Sequence, residues 1–305
     1  MKRFALLVLA LSVTFAAGAQ ETYPYAERDT CTLYLDIWRP DQPSSKPAIL
    51  YVFGGGFIMG KRSDTHVVKW FRKLNEEGYP VVAIDYRLGM KGFKVKKTLG
   101  GAQKAIDRFV MSQRIGVEDV FSAVSFLAAH PELGIPSDNI VISGSSAGAI
   151  ISLASAYNIA NGNTEGLPQG FNFKGVMSFA GGIISNHGKI KFSQAPCPIL
   201  LFHGMDDTLV AYRHHGILGL ELWGSDYIAE MLMKKGWNCS IWRFKNRAHD
   251  VAGYTDCLWP IEKEFLEKNV IQGIPCTVDA VVDDPSLPLW KAWGRLSVDN
   301  VYREH

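Results

Sequence analysis

The stretch Asn139-Ile140-Val141-Ile142-Ser143-Gly144-Ser145-Ser146-Ala147-Gly148 runs from a β-branched apolar segment through a glycine-serine turn into residues 147–157, which are small, apolar and helical in character. Gly144-Ser145-Ser146-Ala147-Gly148 is the one G-x-S-x-G in the chain. By composition alone such a match arises in about one chain of this length in ten, so the pentapeptide by itself says little. Its placement says more. A serine between a buried strand and a helix of small residues sits on a strained turn, where glycine admits the neighbouring backbone and the hydroxyl meets the positive end of the helix. The plainer reading of the same residues is a Gly-Ser loop that caps a helix.

Outward from this turn, short apolar runs alternate with helical patterns. Residues 32–38 (TLYLDIW) alternate as a half-buried strand, 47–53 (PAILYVF) are apolar up to Gly54-Gly55-Gly56, and 79–86 (YPVVAIDY) form another buried run. Further strands are expected at 176–180, 198–203 (PILLFH) and 240–244 (SIWRF). Helices are expected at 66–78, at 117–130 before Pro131, and near 259–268. Near-continuous apolar strands separated by helices predict an α/β fold with a doubly wound, mostly parallel sheet and helices on both faces. Ligands of such sheets bind beyond the carboxyl ends of the strands.

The residues expected at that rim carry the chemistry. A serine hydroxyl becomes a useful nucleophile when a base takes its proton during attack. His203-Gly204-Met205-Asp206-Asp207 closes a strand with two carboxylates, and His249 follows the 240–244 strand. Ser146, an acid at Asp207 or alternatively Asp206, and His249 as base therefore face one edge in the chain order expected for this architecture. His203 reads as a structural residue of its turn, and His214 and His215 follow the acid too closely to return to Ser146. Asp85 is expected to anchor local backbone and Arg87. Lysines 91, 94, 96, 97 and 104 are expected on a solvated, extended connection, and Trp237, Trp242, Trp259, Trp290 and Trp293 in the core or an interface.

F-G-G-G-F at residues 53–57, D-Y-R-L at 85–88, G-S-S-A-G at 144–148 and H-G-x-x-D at 203–207 resemble the α/β-hydrolase superfamily, specifically its HGGG-type carboxylesterase branch, which is hormone-sensitive-lipase-like or acetyl and feruloyl esterase-like. The resemblance spans about residues 33–268. It implies the α/β-hydrolase fold, Ser146 as nucleophile, Asp207 as acid, His249 as base, and an oxyanion hole from the backbone N–H groups of Gly55, Gly56 and Ala147. It implies no cofactor and no metal. Phe53 stands where most relatives carry histidine. Residues 181–195 are too few for the helical cap many relatives insert there, so the expected site is open, without a large cap domain. An open site suits short-acyl or carbohydrate-linked esters such as acetyl or feruloyl groups.

Lys2 and Arg3, the apolar residues 4–16 and Ala17-Gly18-Ala19 read as a secretory signal peptide over residues 1–19, predicting a secreted or periplasmic protein with no membrane span in its mature chain. Removing two of the 32 basic residues leaves 30 against 30 acidic ones, and that balance offers no bulk attraction for nucleic acid. The remaining chain is expected to divide into a catalytic domain over 20–272 and a tail over 273–305 that packs on it or mediates association. Five cysteines form no metal-ligand spacing. Cys257 with Cys276 is the preferred disulfide, and five unpaired, buried thiols are the alternative. Two other functional readings stay open: a serine peptidase of the prolyl-oligopeptidase type, and an inactive hydrolase fold used for binding.

Overall fold

A computed structural model describes residues 20–94 and 98–289. The expected signal peptide, Lys96, Lys97, Trp290, Trp293 and the end of the tail lie outside the described residues.

The strands are β1 (Gln20–Arg28), β2 (Cys31–Trp38), β3 (Ala48–Val52), β4 (Val81–Ile84), β5 (Ile140–Ser145), β6 (Gly175–Phe179), β7 (Gly182–Ser185), β8 (Ile199–Gly204), β9 (His214–Ile217), β10 (Leu220–Gly224), β11 (Cys239–Phe244) and β12 (Asp279–Val282). Nine of them form one sheet in the order β1-β2-β4-β3-β5-β6-β8-β11-β12. Pairing is parallel from β4 through β12, and β2 runs antiparallel to both its neighbours. Every residue of β3, β4, β5, β6 and β8 is buried, as a sheet covered on both faces requires.

The helices are α1 (Thr65–Glu76), α2 (Leu99–Ala129), α3 (Ala147–Ala160), α4 (Ser225–Lys234) and α5 (Trp259–Glu264), the last continued by a π-helical turn at Phe265–Ile271. The Asp64 carboxylate caps α1 by accepting from the His66 amide at 3.2 Å. Val67, Trp70, Phe71 and Leu74 then fall on one stripe and are buried. Trp70 donates its indole N–H to Glu262 Oε2 on α5 at 2.7 Å.

Glu262 is fully buried, and its other oxygen has no hydrogen-bond partner among the described residues. Burial pushes this carboxyl well above the ordinary carboxylate range, against the smaller opposing pulls of the Trp70 hydrogen bond and the Lys73 charge. In the unfolded chain it ionises above about pH 4.3, while the fold holds it neutral. Its contribution to stability is thus complete below that pH and is lost as pH rises toward the folded pKa. E262Q removes this slope. Thermal melts of both proteins at pH 5 and pH 8 should show the variant gaining on the wild type at the higher pH. An equal Tm difference at both values would refute the buried neutral acid.

Several elements differ from those expected. α2 begins at Leu99, well before residue 117, with Thr98 capping it by accepting from the Gly101 amide at 3.0 Å. Lys104 is therefore helical, and it is exposed, as are Lys91 and Lys94. β1 is an edge strand whose polar pattern and Pro24, next to a register shift, conceal it in the sequence. Residues 181–195 contribute β7 to a three-stranded sheet, β7-β10-β9, and no helix. That stretch carries no helical cap, and the connection is structured as a strand.

The tail joins the main sheet. Residues 279–282 pair in parallel with β11 as the ninth strand, so the sheet does not stop at residue 272. All five cysteines are free, which corrects the Cys257–Cys276 bridge. Cys257 lies beside Asp256 and Lys73, whereas the Cys276 backbone is held over β11 by Ser240 and Asn269. Only Cys197 and Cys239 are buried, and burial pushes the Cys197 thiol up to about 12.

Candidate active site

Ser146 follows β5 directly and precedes the first residue of α3 with φ 52° and ψ −119°. This left-handed conformation costs a non-glycine residue on the order of 1–3 kcal/mol. It persists because its surroundings leave no alternative. A Cβ on Gly144 would lie 2.4 Å from Gly148 backbone atoms, and one on Gly148 would lie 2.0 Å from the Val52 carbonyl oxygen. The Ser146 amide donates to the Phe179 carbonyl at 2.9 Å. Next to it, the Ser145 hydroxyl donates to the Ala252 carbonyl at 2.6 Å, tying the turn to the loop that carries His249.

The structure brings Ser146, His249 and Asp207 into one hydrogen-bonded chain. Ser146 Oγ lies 2.8 Å from His249 Nε2, and His249 Nδ1 lies 2.7 Å from Asp207 Oδ2. All three are buried, with Ser146 8% exposed. Asp207 Oδ1 accepts the amides of Leu209 and Val210 at 2.9 and 3.1 Å. Burial alone would raise the Asp207 pKa, but the His249 charge and the hydrogen bonds from His203 and His249 hold it well below the usual carboxylate range. An ionised Asp207 orients Nδ1–H toward itself and leaves Nε2 as an acceptor for the serine proton. Asp206 is exposed and is absent from this chain of bonds.

His203 is fully buried on β8, with Nε2 3.0 Å from the Val210 carbonyl and 3.3 Å from Asp207 Oδ2, and Nδ1 2.7 Å from Ser225 Oγ. It braces the acid and has no contact with Ser146, in keeping with a structural role. His214 stacks on Trp223 and meets Glu221 at 2.5 Å, and His215 is exposed on the same outer strand. Trp259 is buried, and Trp237 and Trp242 pack against the core.

The glycine loop abuts the serine turn. A Cβ on Gly54 would lie 2.9 Å from the Ser145 carbonyl oxygen and 3.2 Å from Ser146 Cβ. Gly55, Gly56 and Phe57 have φ of 115°, 62° and 60°, three successive left-handed residues. Gly55 accepts at its carbonyl from the Ile58 and Met59 amides. Ala147, the first residue of α3, supplies one of the amides that a helix start leaves without an intrahelical partner.

Phe53 is buried beneath the loop, 4.5 Å from the Tyr86 ring, and the Tyr86 hydroxyl donates to the Phe53 carbonyl at 3.0 Å. The D-Y-R-L motif thus braces the glycine loop through Tyr86, a role that sequence reasoning missed. Asp85 accepts from the Tyr34 amide and pairs with Arg62 at 2.7 Å, while Arg87 turns to the buried Asp119 and to Glu118. Asp85 therefore anchors backbone as expected but pairs with a different arginine. On the reading that the glycine loop acts through its main-chain N–H groups, F53H should leave ester turnover within about tenfold, and it should lower Tm by burying a polar ring. Steady-state kinetics with a parallel melt check this, and a loss beyond about a hundredfold would show that the phenyl ring shapes the loop.

The sequence model of the BD-FAE family matches residues 35–194, more than half of the chain. The chain belongs to the BD-FAE family. The match takes in the glycine loop and the Ser146 turn and stops before Asp207 and His249. Secreted lipase 1 of Botryotinia fuckeliana is 29% identical over 175 residues, 54% of this chain and 27% of that protein. Chlorogenic acid esterase of Aspergillus niger is 29% identical over 133 residues, 41% of this chain and 24% of that protein. The chain thus spans about a quarter of the length of these relatives. Among solved structures, the propionate-bound esterase Est2 of Thermogutta terrifontis superposes with a TM-score of 0.57 at 22% identity, covering 81% of this chain and 94% of that one. This BD-FAE member therefore has the α/β-hydrolase fold, a mostly parallel sheet flanked by helices. Among the described residues no group of three or more His, Cys, Asp or Glu side chains could hold a metal, and no helix is long and apolar enough to cross a membrane.

Proposed function

We propose that this BD-FAE member is a serine carboxylic ester hydrolase in which Ser146, His249 and Asp207 act as nucleophile, base and acid. The observation that carries this reading is the unbroken hydrogen-bonded chain from Asp207 through His249 to a Ser146 held in a left-handed turn. His249 Nε2 takes the Ser146 proton as Oγ attacks the ester carbonyl. The resulting oxyanion is stabilised by the N–H groups of Gly55, Gly56 and Ala147. The tetrahedral intermediate collapses as the imidazolium protonates the leaving alcohol, which departs and leaves an acyl group on Ser146. Water, deprotonated by His249, then attacks the acyl carbon, and Ser146 leaves with the returned proton.

The preferred substrates are short-acyl or carbohydrate-linked esters of the acetyl or feruloyl kind. Two observations support this: residues 181–195 form no helical cap, and a chlorogenic acid esterase is among the relatives. A leader at residues 1–19 directs the chain out of the cytoplasm, in line with the secreted lipase among the relatives.

Rates on p-nitrophenyl acetate, butyrate and octanoate, on methyl ferulate and on a prolyl p-nitroanilide test the assignment. Ester turnover falling from acetate to octanoate is expected, with little on the anilide. Preference for the anilide, or no turnover on any ester, would overturn it.

A further inference from the structure

His249 sits on a loop that carries little secondary structure of its own, running from the end of β11 through a 3-10 turn at His249–Gly253. The chain from Val282 returns along this loop and is bonded to it at residues 282, 283, 284, 287 and 288. The Lys245 amide donates to the Val282 carbonyl at 2.9 Å. Lys245 Nζ and Asn246 Nδ2 reach the Asp283 carboxylate at 3.0 and 3.4 Å. Arg247 Nη2 donates to the carbonyls of Asp284 and Leu287, each at 3.1 Å. The Tyr254 hydroxyl lies 2.5 Å from the Pro288 carbonyl.

These bonds converge on the residues flanking His249. Arg247 Nε donates to the Tyr254 hydroxyl at 2.9 Å, and that hydroxyl lies 2.9 Å from Asp250 Oδ2. Asp250 is fully buried and uses its other oxygen to accept the Ala248 amide at 2.8 Å. The Arg247 carbonyl accepts the Asp206 amide at 2.9 Å, so one residue touches the tail, the loop of the base and the loop of the acid. The contacts of Lys245 are exposed and contribute little. The Arg247 side chain is only 11% exposed, and a guanidinium that bridges two carbonyls is a rigid clamp.

We propose that residues 282–288 act as a positioning strap for His249, holding its loop in register with Ser146 through Arg247, Tyr254 and Asp250. The proposal rests on His249 serving as the base. Among the described residues no hydrogen bond of residues 282–288 reaches Ser146, and the serine turn keeps its own hold through the Ser146 amide bond to the Phe179 carbonyl. Misplacing an imidazole by about 1 Å costs roughly a hundredfold in rate while substrate still binds, and the effect falls on kcat more than on KM.

The test compares the full chain with a truncation after Val282, a control truncation after Leu289, and the full-length variants R247M and Y254F. Kinetics use p-nitrophenyl acetate, and amide hydrogen exchange follows residues 245–254. The first truncation and R247M should lower kcat about 10- to 100-fold with KM within about twofold, and should speed exchange in the loop while β5 and α3 stay protected. Y254F should give a smaller shift of the same kind, and the truncation after Leu289 should match the full chain.

Unchanged kcat and loop exchange in R247M overturn the strap, even where the shorter truncation fails to fold. So does a loss already complete in the chain ending at Leu289, and so does exchange rising equally across the whole sheet. Because loop exchange is read without substrate, an inactive full chain with a loosened loop in R247M would sink the ester reading and leave the strap's hold on its loop established.

Discussion

On the proposed mechanism, replacing Ser146 by alanine should lower ester turnover by about 10⁴-fold or more, the loss expected when the nucleophile of a cooperating triad is removed. The Ser146 hydroxyl bonds to His249, and the turn around it is held by Gly144, Gly148 and the bond from the Ser146 amide to Phe179. Alanine keeps the Cβ and the left-handed backbone, so S146A should fold with nearly the wild-type Tm. Hydrolysis of p-nitrophenyl acetate by both proteins, with melts run alongside, measures the two effects separately. A variant retaining more than about 1% of the rate at an unchanged Tm would mean that another group attacks the ester.

D207N should cost about 10⁴-fold by a different route. Asp207 receives two backbone amides on Oδ1 and His249 on Oδ2. An asparagine oriented by the two amides presents its NH₂ group to His249 Nδ1. The imidazole can then only accept there, which moves its proton to Nε2 and leaves no lone pair facing Ser146. D206N is the control, and an exposed residue outside the bonded chain should leave the rate within about twofold. Equal losses in both variants would place the acid wrongly.

D207N also alters acid stability in a defined sense. The Asp207 carboxyl is held below its ordinary range in the fold, so its contribution is full above the unfolded value of about 3.9 and is lost as pH falls below that toward the folded pKa. The stability gap between wild type and D207N should therefore shrink from pH 7 to pH 3.

The parallel core was readable because its strands carry nearly continuous apolar runs, as in Ile49-Leu50-Tyr51-Val52 and Val81-Val82-Ala83-Ile84, and burial on both faces leaves few polar residues, such as Ser143, Ser178 and His203, to blur the pattern. Ser146, Asp207 and His249 were readable for a related reason, since each lies just past a strand or within a short motif that follows one. The unread elements are those with weak or mixed patterns. β1 is polar and interrupted near Pro24, β9 is exposed along its whole length, and the first half of α2 carries two glycines near its start. The pairing of Arg87 with Asp119 instead of Asp85 was unreadable because it depends on where α2 crosses the sheet.

Local pattern in the chain, apolar runs ending in glycine-rich turns, determined by itself the α/β class, the strained serine turn and the choice of Ser146 and His249 as groups able to share a proton, because these follow from spacing of a few residues. Which carboxylate faces His249, how Tyr86 reaches back to the Phe53 carbonyl, and why the chain past residue 272 belongs to the sheet were decided only by tertiary structure. Each depends on a contact between segments distant in sequence, set by the order of strands and the packing of helices on them. Hydrogen bonds of that reach have no local signature from which they can be read.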